Sequence, residues 1–525
     1  MARKLFFGIS IGGIVLVLLG QFFWTPMLWM LVFLVPFILI GLYDLTVAKH
    51  NVLHNYPVIG HLRYILEFIS PNIRQYFIET NESGRPFNRI VRDLIYARAA
   101  DADDTLPFGT QYDIMEVGYA RSNHSLAPKP PIEENGRVTV GGPECKHPYS
   151  ASRLNVSAMS FGALSSNAIR ALNAGANLGG FAHNTGEGGL SPYHLQEGGD
   201  IFWQIGTGYF GCRNKDGSFD NGMFRENAGK PAVKMVEIKL SQGAKPSHGG
   251  VLPAAKVDEE IARIRGVEAH KDVISPPAHT AFSTPTELME FVQTLRDETD
   301  GKPVGFKLCI GNRHEFLGIC KAMLETGILP DFITIDGAEG GTGAAPVEYS
   351  NRLGVPIDEG LTFARNALIG IGKRDQIRLI ASGKIATGFD MIDKISLGAD
   401  MCNSARAMLF SIGCIQSLKC NTNKCPTGIA TQDAIRAKAV NVDEKRHKVA
   451  NYHRRTLESF LDMLGAMGHT SVGELSPSSI MRRTANEREI DYAHLFGELS
   501  PGALLGKKVP AEFAGDWARA SATTF

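Results

Sequence analysis

The N-terminus carries the most apolar stretch of the chain. Residues 5–24 contain no charged side chain and one glutamine, and after a Thr-Pro interruption a second apolar run extends from Met27 to about Tyr43. Each run is close to the roughly 20 residues that a helix needs to cross a bilayer. We therefore predict a transmembrane helical hairpin over residues 1–46. A cleaved signal peptide is the alternative, but the long first run, the second run directly after it and the lack of a small-residue cleavage site disfavour it.

Basic side chains flank both ends of this hairpin. A hairpin brings the two flanks to the same side of a membrane, and the positive-inside rule makes that side cytoplasmic. The sequence therefore predicts a protein of the cytoplasmic (inner) membrane, held by the lipid bilayer, whose remaining chain faces the cytoplasm. The flanking basic residues are Arg3, Lys4, Lys49, His50, His54 and Arg63.

Between residues 151 and 435 the pattern alternates between β-rich and helical stretches. Eight strands alternating with helices over this length predict a (β/α)8 TIM barrel rather than a doubly wound sheet. The polar residues 47–150 predict a linker with helical segments, and residues 436–525 a helical C-terminal extension. The predicted strands are Leu154–Ser160, Phe181–Asn184, Met235–Leu240, Val273–Ser275, Val304–Ile310, Phe332–Asp336, Arg378–Ser382 and Asp400–Asn403.

Glycines and charged side chains follow most of these predicted strands. In a TIM barrel the carboxyl ends of the strands carry the chemistry. Glycines after the seventh and eighth strands allow backbone N–H groups to approach a phosphate. A single glycine run most often marks only a tight turn, but turns require no lysine or glutamate at the same places. The sequence therefore predicts a functional site at this end of the barrel.

Charge and cysteine content exclude several classes of protein. Lysine plus arginine and aspartate plus glutamate number 54 each, so nothing indicates a nucleic acid as partner. Eight cysteines in 525 residues do not form a disulfide framework, which favours a reducing compartment.

Three cysteines form a compact group, Cys414, Cys420 and Cys425, followed by Pro426. Grouped thiolates are the ligands of iron–sulfur clusters, and three of them suit a cluster that lacks one corner. A zinc knuckle and buried structural cysteines are the alternatives. Zinc would require a fourth ligand, and neither His447 nor His453 lies at knuckle spacing.

Several motifs resemble the FMN-binding synthase domain of glutamate synthase, in the same order along residues 150–435. The cysteine group matches the Cys-x5-Cys-x4-Cys-Pro pattern of that family, and the two apolar runs resemble its short, membrane-anchored members. The matching segments are Ser157–Ala163, Asn184–Gly189, Ile238–Pro246, Ile274–Pro277, Gly340–Ala344 and Cys425–Gln432.

The resemblance implies an oxidoreductase acting on CH–NH2 donors. In the family, 2-oxoglutarate and ammonia form 2-iminoglutarate, reduced FMN delivers a hydride to give glutamate, and a 3Fe-4S cluster supplies electrons to the flavin. By motif, Glu187, Lys245 and Arg265 would contact the keto acid, and Cys414, Cys420 and Cys425 would hold the cluster. The residues implied for FMN are Met159, Ser160, Lys307, Gly341, Gly383, Lys384, Ser404 and Ala405.

Two departures from the family pattern bear on the substrate. Tyr209 replaces a more usual arginine, and Val251 replaces a glutamine, in segments that the resemblance assigns to the anion pocket. An arginine-to-tyrosine change in such a pocket is not conservative. The alternatives are therefore the same cofactors acting on another small keto acid, or a membrane-tethered electron-transfer protein without substrate turnover.

Parts of a complete glutamate synthase have no counterpart in this sequence. No glutaminase segment with an N-terminal cysteine nucleophile is found, and no strand–Gly-x-Gly-x-x-Gly–helix unit marks a dinucleotide site. We therefore expect free ammonia as the nitrogen source, and electrons from a partner protein or a membrane donor.

Overall fold

The computed structural model describes residues 1–486 and 488–525, which form two compact units, Met1–Ile90 and Val91–Phe525. The first unit begins with two apolar helices, Ala2–Gly20 and Leu31–Thr46, joined through a 3-10 turn at Thr25–Met30. Shorter elements follow, and they are helix Asn51–Asn55, helix His61–Ile73 and the π-helical turn Arg74–Ile78.

The two apolar helices pack antiparallel through glycines. A Cβ at Gly13 would lie 2.9 Å from Leu34, and a Cβ at Gly41 would collide with the ring of Phe6. Most side chains of both helices face outward, and each helix, the second counted with its preceding turn, is long and apolar enough to cross a membrane. These properties suit a membrane anchor and are shared by signal sequences.

The second unit is built on a closed barrel of eight parallel strands. In chain order they are β1 Leu154–Val156, β2 Ala182–Asn184, β3 Asp200–Ile205, β4 Val233–Lys239, β5 Val304–Leu308, β6 Phe332–Asp336, β7 Arg378–Ser382 and β8 Met401–Ser404. Strand β8 pairs with β1, with Ser404 opposite Val156, and this pairing closes the sheet. The predicted (β/α)8 fold is confirmed.

One predicted barrel strand was wrong and one was missed. Val273–Ile274 pairs antiparallel with Val251–Leu252 in a small ribbon outside the barrel. The missed strand is β3, which lies between β2 and β4. The helix between β2 and β3, Pro192–Leu195, has only four residues, so the sequence shows no full helical pattern between these two strands.

Helices cover the outside of the barrel. The helices that follow barrel strands in the chain are Ser166–Gly179, Asn221–Ala228, Glu259–Arg265, Pro285–Glu298, Arg313–Thr326, Val347–Arg352, Ile357–Gly370, Gly388–Ser396 and Arg406–Ser411. Helix Arg89–Ala99 begins at the end of the first unit and lies mostly in the second. The helices after the barrel are Ala434–Ala437, Val442–Ala466, Tyr492–Phe496 and Ala511–Arg519. Helix Val442–Ala466, in the predicted helical extension, packs on Ser166–Gly179, where a Cβ at Gly175 would lie 2.5 Å from Val449.

Two small antiparallel sheets complete this unit. Strand Arg137–Val140 pairs with Tyr149–Ser152 beside the amino end of the barrel. Strand Ile480–Arg483 pairs with both Ala120–Ser122 and Glu489–Asp491. The C-terminal extension is therefore mainly helical, as predicted, with a sheet that the sequence analysis did not foresee.

Strand β5 contains a glycine that its neighbour requires. A Cβ at Gly305 would collide with the carbonyl oxygen of Phe332 on β6, whereas a Cβ at Gly311 would meet nothing within 4 Å. We expect Gly305→Ala to cost about 1–3 kcal/mol, because backbone must move to admit the methyl group. Thermal unfolding followed by near-UV circular dichroism should show a lowered midpoint for Gly305→Ala and little change for Gly311→Ala. Equal midpoints would contradict the packing described here.

Candidate active site

The carboxyl ends of the strands surround a small cavity. Its volume is about 70 Å3, which is room for several water molecules at about 10–15 Å3 each. Side chains from the segments after β1, β2 and β4 line it together with one cysteine of the compact group. The lining residues include Ser160, Glu187, Lys245, Val251, Arg265 and Cys420. The structure thus brings together the three predicted substrate residues.

Glu187 is the central carboxylate of this cavity. Its Oε1 accepts a hydrogen bond of 2.6 Å from Nζ of Lys239, at the end of β4. Burial raises the pKa of Glu187, but Lys239, Lys245 and Arg265 outweigh it, so the net pKa is lowered. Glu187 is therefore a carboxylate at neutral pH, held among cations.

Two further cations converge on Glu187. Lys245 is buried, and its Nζ donates to the carbonyl of Ala344 at 3.0 Å. Burial lowers the pKa of Lys245 to about 8, although Glu187 opposes the shift. Arg265 is also buried and donates to the carbonyl of Phe161 at 3.0 Å, and burial lowers its pKa to about 10.

A buried carboxylate deeper in the barrel supports this layer. Glu237 on β4 accepts hydrogen bonds from Asn184 at 2.8 Å, Gln204 at 2.6 Å and Thr334 at 2.6 Å. Glu237 was not predicted from the sequence as a site residue. Its place two positions before Lys239 was the available signal, since alternate residues of a strand face the same side.

Lys307, predicted to contact FMN, lies on β5 beside Asp336. The distance from its Nζ to Asp336 Oδ2 is 3.3 Å, and both side chains are buried. Burial lowers the pKa of Lys307, but Asp336 and Glu237 outweigh it and the net pKa is raised. This lysine therefore keeps its positive charge at the centre of the barrel mouth.

Cations outnumber carboxylates at the barrel mouth. Five cations, Lys239, Lys245, Arg265, Lys307 and Arg406, face four carboxylates, Glu187, Glu237, Asp336 and Glu339. Three buried polar atoms here have no hydrogen-bond partner among the described residues: Arg265 Nε, Gln242 Nε2 and Asn403 Oδ1. Buried polar groups are normally paired. Two of these atoms, Arg265 Nε and Gln242 Nε2, are N–H donors, and unpaired donors together with an excess of positive charge fit a polar anionic ligand.

The other residues predicted for FMN lie at the ends of several strands. Met159 and Ser160 follow β1, Gly341 follows β6, Gly383 and Lys384 follow β7, and Ser404 and Ala405 lie at the end of β8. Gly383 has φ +147°, a conformation that favours glycine, and Lys384 has φ +53°. A Cβ at Gly341 would lie 3.0 Å from Arg406. These positions give close backbone approach, as a flat or phosphorylated ligand requires.

The three grouped cysteines are free thiols near one another. The thiols of Cys420 and Cys425 add to burial in raising the pKa of Cys414 to about 11. Burial raises the pKa of Cys425, but the Thr427 hydroxyl and backbone N–H groups that follow outweigh it and lower the pKa. Within residues 1–486 and 488–525 no three His, Cys, Asp or Glu side chains are arranged around a single metal ion. A cluster spaces its thiolates more widely than one ion does, because each binds a different iron.

A buried lysine lies between the cysteine group and the cavity. Lys256 donates from Nζ to the carbonyl of Ala163 at 2.8 Å, and it lines the same cavity as Cys420. Burial lowers the pKa of Lys256 to about 8, while the thiols of Cys420 and Cys425 oppose that shift. Lys256 was not predicted from the sequence as a site residue, because only the fold brings it close to the cysteines.

The segment that carries the cysteines is tied to the segment after β1. Gln432 Nε2 donates to the carbonyls of Gly162 at 3.0 Å and Leu164 at 2.8 Å. The backbone N–H of Ser165 donates to the carbonyl of Ile429 at 2.8 Å. The wall of the cavity and the cysteine segment therefore share one hydrogen-bonded framework.

Tyr209 has a role that its sequence position did not indicate. Its ring is fully buried, and its hydroxyl accepts hydrogen bonds from the backbone N–H groups of Thr280 at 3.1 Å and Ala281 at 3.0 Å. The cavity is lined instead by Phe210 and Val251. Of the two departures from the family pattern, only Val251 therefore changes the cavity wall.

Residues 128–470 match the family model described as the conserved region in glutamate synthase. The chain is 38% identical over 488 residues to the glutamate synthase large subunit-like protein YerD of Bacillus subtilis, covering 85% of this chain and 92% of that protein. It is 36% identical over 320 residues to the archaeal-type glutamate synthase (NADPH) of Thermotoga maritima, covering 61% of this chain and 60% of that protein. The chain thus spans about three fifths of the length of the archaeal-type relative.

The hydroxyl of Tyr209 should hold the segment around Thr280 in place. In Tyr209→Phe, two backbone N–H groups lose their acceptor while the ring stays, so we expect faster amide hydrogen exchange over residues 279–281. Hydrogen–deuterium exchange with mass spectrometry measures this. Tyr193→Phe is the control, because that hydroxyl contacts only the Glu260 carboxylate. Unchanged exchange in Tyr209→Phe would mean that its hydroxyl does not fix this segment.

Proposed function

We propose, from the membership of this chain in the glutamate synthase family, that it catalyses the reductive amination of 2-oxoglutarate with ammonia to glutamate. As a member of this family, the chain is an oxidoreductase acting on CH–NH2 donors. The observation that carries the choice of substrate is the convergence of Lys239, Lys245 and Arg265 on Glu187 around one cavity.

The cations of the cavity supply recognition for a dicarboxylate. Arg265 donates through Nη2 to the carbonyl of Phe161, and its buried Nε has no hydrogen-bond partner among the described residues, so its guanidinium is not fully satisfied by the protein. Lys245 offers a second positive charge within the same cavity. Two carboxylates binding to an arginine and a lysine form charge-assisted hydrogen bonds, which are the stronger class. Glu187 balances these cations when the substrate is absent.

Lys245 also suits proton transfer. Condensation of ammonia with a keto group releases water, and the departing oxygen requires a proton. With a pKa of about 8, Lys245 holds a proton on Nζ at pH 7 and yields it more readily than an ordinary lysine. Glu187 is held in place by the 2.6 Å hydrogen bond that it accepts from Lys239. We assign the general-acid role to Lys245 and the positioning role to Glu187.

The barrel mouth fits FMN by its donors and its glycines. Met159, Ser160, Gly341, Gly383, Lys384, Ser404 and Ala405 would provide backbone approach and hydrogen bonds, and Lys307 would lie near the flavin ring. Bound FMN supplies hydride transfer to the substrate carbon. Lys307, held in its charged form by Asp336 and Glu237, would stabilise negative charge on the reduced ring.

The cysteine group fits a 3Fe-4S cluster by its chemistry. Cys414, Cys420 and Cys425 are free, and hydrogen bonds favour the thiolate form of Cys425. A bound cluster supplies single electrons for reduction of the flavin. We assign the source of those electrons to a partner protein or a membrane donor.

The N-terminal hairpin is assigned to the cytoplasmic (inner) membrane, with the barrel in the cytoplasm. Arg3 donates to the backbone carbonyl of His54 at 2.5 Å, so the start of the first apolar helix lies beside the segment that follows the second. Both basic flanks therefore belong on one side of a bilayer, and the positive-inside rule favours the cytoplasmic side.

Another small keto acid is the second candidate substrate. Val251 lines the cavity where the family more often has a glutamine, so one hydrogen-bonding group is absent from its wall. An electron-transfer protein without turnover is disfavoured, because electron transfer alone requires no buried pocket for an anion.

Flavin reoxidation tests the function. Full-length protein is reduced anaerobically with dithionite, and 2-oxoglutarate with ammonium is added while absorbance at the flavin band is followed. We expect rapid reoxidation with stoichiometric glutamate, and weaker apparent binding of 2-oxoglutarate as the pH rises through about 8, because Lys245 then loses its charge. Lys245→Met should abolish the reaction, whereas Lys230→Met, a change far from the barrel mouth, should not.

Two results would contradict this function. Protein with full FMN and cluster that is not reoxidised by 2-oxoglutarate and ammonium lacks the proposed activity, and reoxidation by another keto acid would identify the second candidate. Reoxidation by Lys245→Met at the wild-type rate would remove this lysine from the mechanism.

Replacing one cysteine tests the cluster separately. Cys420→Ser removes a thiolate, so we expect the visible absorbance and the electron paramagnetic resonance signal of the cluster to be lost while FMN stays bound. Cys320→Ser is the matched control, because this cysteine is fully buried in helix Arg313–Thr326. Identical spectra of wild type and Cys420→Ser would exclude the cysteine as a ligand.

A further inference from the structure

The first unit contains a second apolar surface besides the hairpin. Helix His61–Ile73 and the turn Arg74–Ile78, together called the surface segment, carry apolar residues at helical spacing. Every residue of the helix is exposed or half-buried. One face of it is formed by Leu62, Ile65, Leu66, Ile69 and Ile73, and the polar face beside it by Arg63, Glu67, Ser70 and Arg74.

This apolar face lies open to its surroundings. Leu62 and Ile65 are each 55% exposed, and Leu66 is 50% exposed. The face continues into the turn, where Phe77 is 85% and Ile78 is 68% exposed. A row of large apolar side chains on a protein surface marks an interaction site. The amphipathic pattern is that of helices that lie in a membrane interface.

A buried carboxylate fixes where this segment starts. Asp44 lies near the end of the second apolar helix and is fully buried. Its Oδ1 lies 2.8 Å from Nε2 of His61, and its Oδ2 accepts a 2.8 Å hydrogen bond from the backbone N–H of Val58. The surface segment therefore begins at the end of the hairpin, at the level where an anchoring helix leaves a bilayer.

Basic side chains accompany the end of the hairpin and the surface segment. Lys49 follows the hairpin directly, and Arg63 and Arg74 lie on the polar face of the surface segment. Arg63 pairs with Glu67 at 2.9 Å, which leaves the sum of these side chains positive. Anionic headgroups attract such juxtamembrane cations.

We propose that the surface segment lies in the headgroup region of the bilayer that holds the hairpin, with Leu62, Ile65 and Leu66 toward the acyl chains. It prefers membranes that contain anionic lipid. This inference rests on the proposed membrane anchoring. It adds a second, interfacial attachment of about five helical turns, which fixes the orientation of the chain where it leaves the membrane.

Tryptophan quenching by brominated lipid tests this placement in the full-length protein. The protein is reconstituted in phosphatidylglycerol–phosphatidylcholine vesicles whose phosphatidylcholine carries bromine high on the acyl chain. Leu66→Trp puts a reporter on the apolar face, and Glu67→Trp is the control, because Glu67 is the polar residue furthest round the same helix from that face. We expect brominated lipid to remove the added emission of Leu66→Trp and to spare that of Glu67→Trp. Omitting phosphatidylglycerol should weaken the quenching.

The native tryptophans separate the two hypotheses. Trp24 and Trp29 lie at the turn of the hairpin, so their quenching in the wild type reports the anchoring itself. Anchoring with no difference between Leu66→Trp and Glu67→Trp would overturn the interfacial placement and would assign the apolar face to a partner protein. No quenching at Trp24 and Trp29 would overturn the anchoring on which the inference rests.

Discussion

The contact between Glu187 and Lys239 is the interaction on which the barrel mouth depends. It holds one carboxylate at the meeting point of three cations, two of which, Lys245 and Arg265, have pKa values lowered by burial. Removing a partner from such a group leaves uncompensated buried charge, which costs several kcal/mol. The same arrangement explains how these cations remain assembled, because Glu187 offsets the repulsion between them. The stability of the barrel mouth and the proposed recognition of a substrate therefore draw on the same four side chains.

The barrel and most of the candidate site could be predicted from the sequence, because both follow from the local pattern of residues. Strand ends marked by glycine and charge, such as Asn184–Gly189 and Gly340–Ala344, lie where the βα alternation put them. Strand β3 was missed because no regular helix precedes it, and Val273–Ile274 was misassigned because two apolar residues in a ribbon resemble the start of a buried strand. Hydrophobic periodicity identifies long elements far better than short ones.

Contacts between residues that are far apart in the chain could not be predicted from the sequence pattern. Tyr209 and Thr280 are far apart in the chain, and only the fold shows that the tyrosine hydroxyl anchors a backbone segment and does not line the cavity. Lys256 likewise reaches Cys420 through tertiary structure. The two departures from the family pattern therefore have different effects. Val251 changes the wall of the cavity, whereas Tyr209 anchors a backbone segment that does not line it.

The hydrogen bonds between Gln432 and the segment after β1 give the cysteine group a second consequence. Gly162 and Leu164 border the residues that line the cavity, and the carbonyls of both are held by a side chain seven residues beyond Cys425. A chain that loses the order of its cysteine segment loses a rigid cavity wall in the same event. Damage to the thiols that disorders this segment would therefore also disturb the wall of the cavity, although the cysteines and the wall are far apart in the chain.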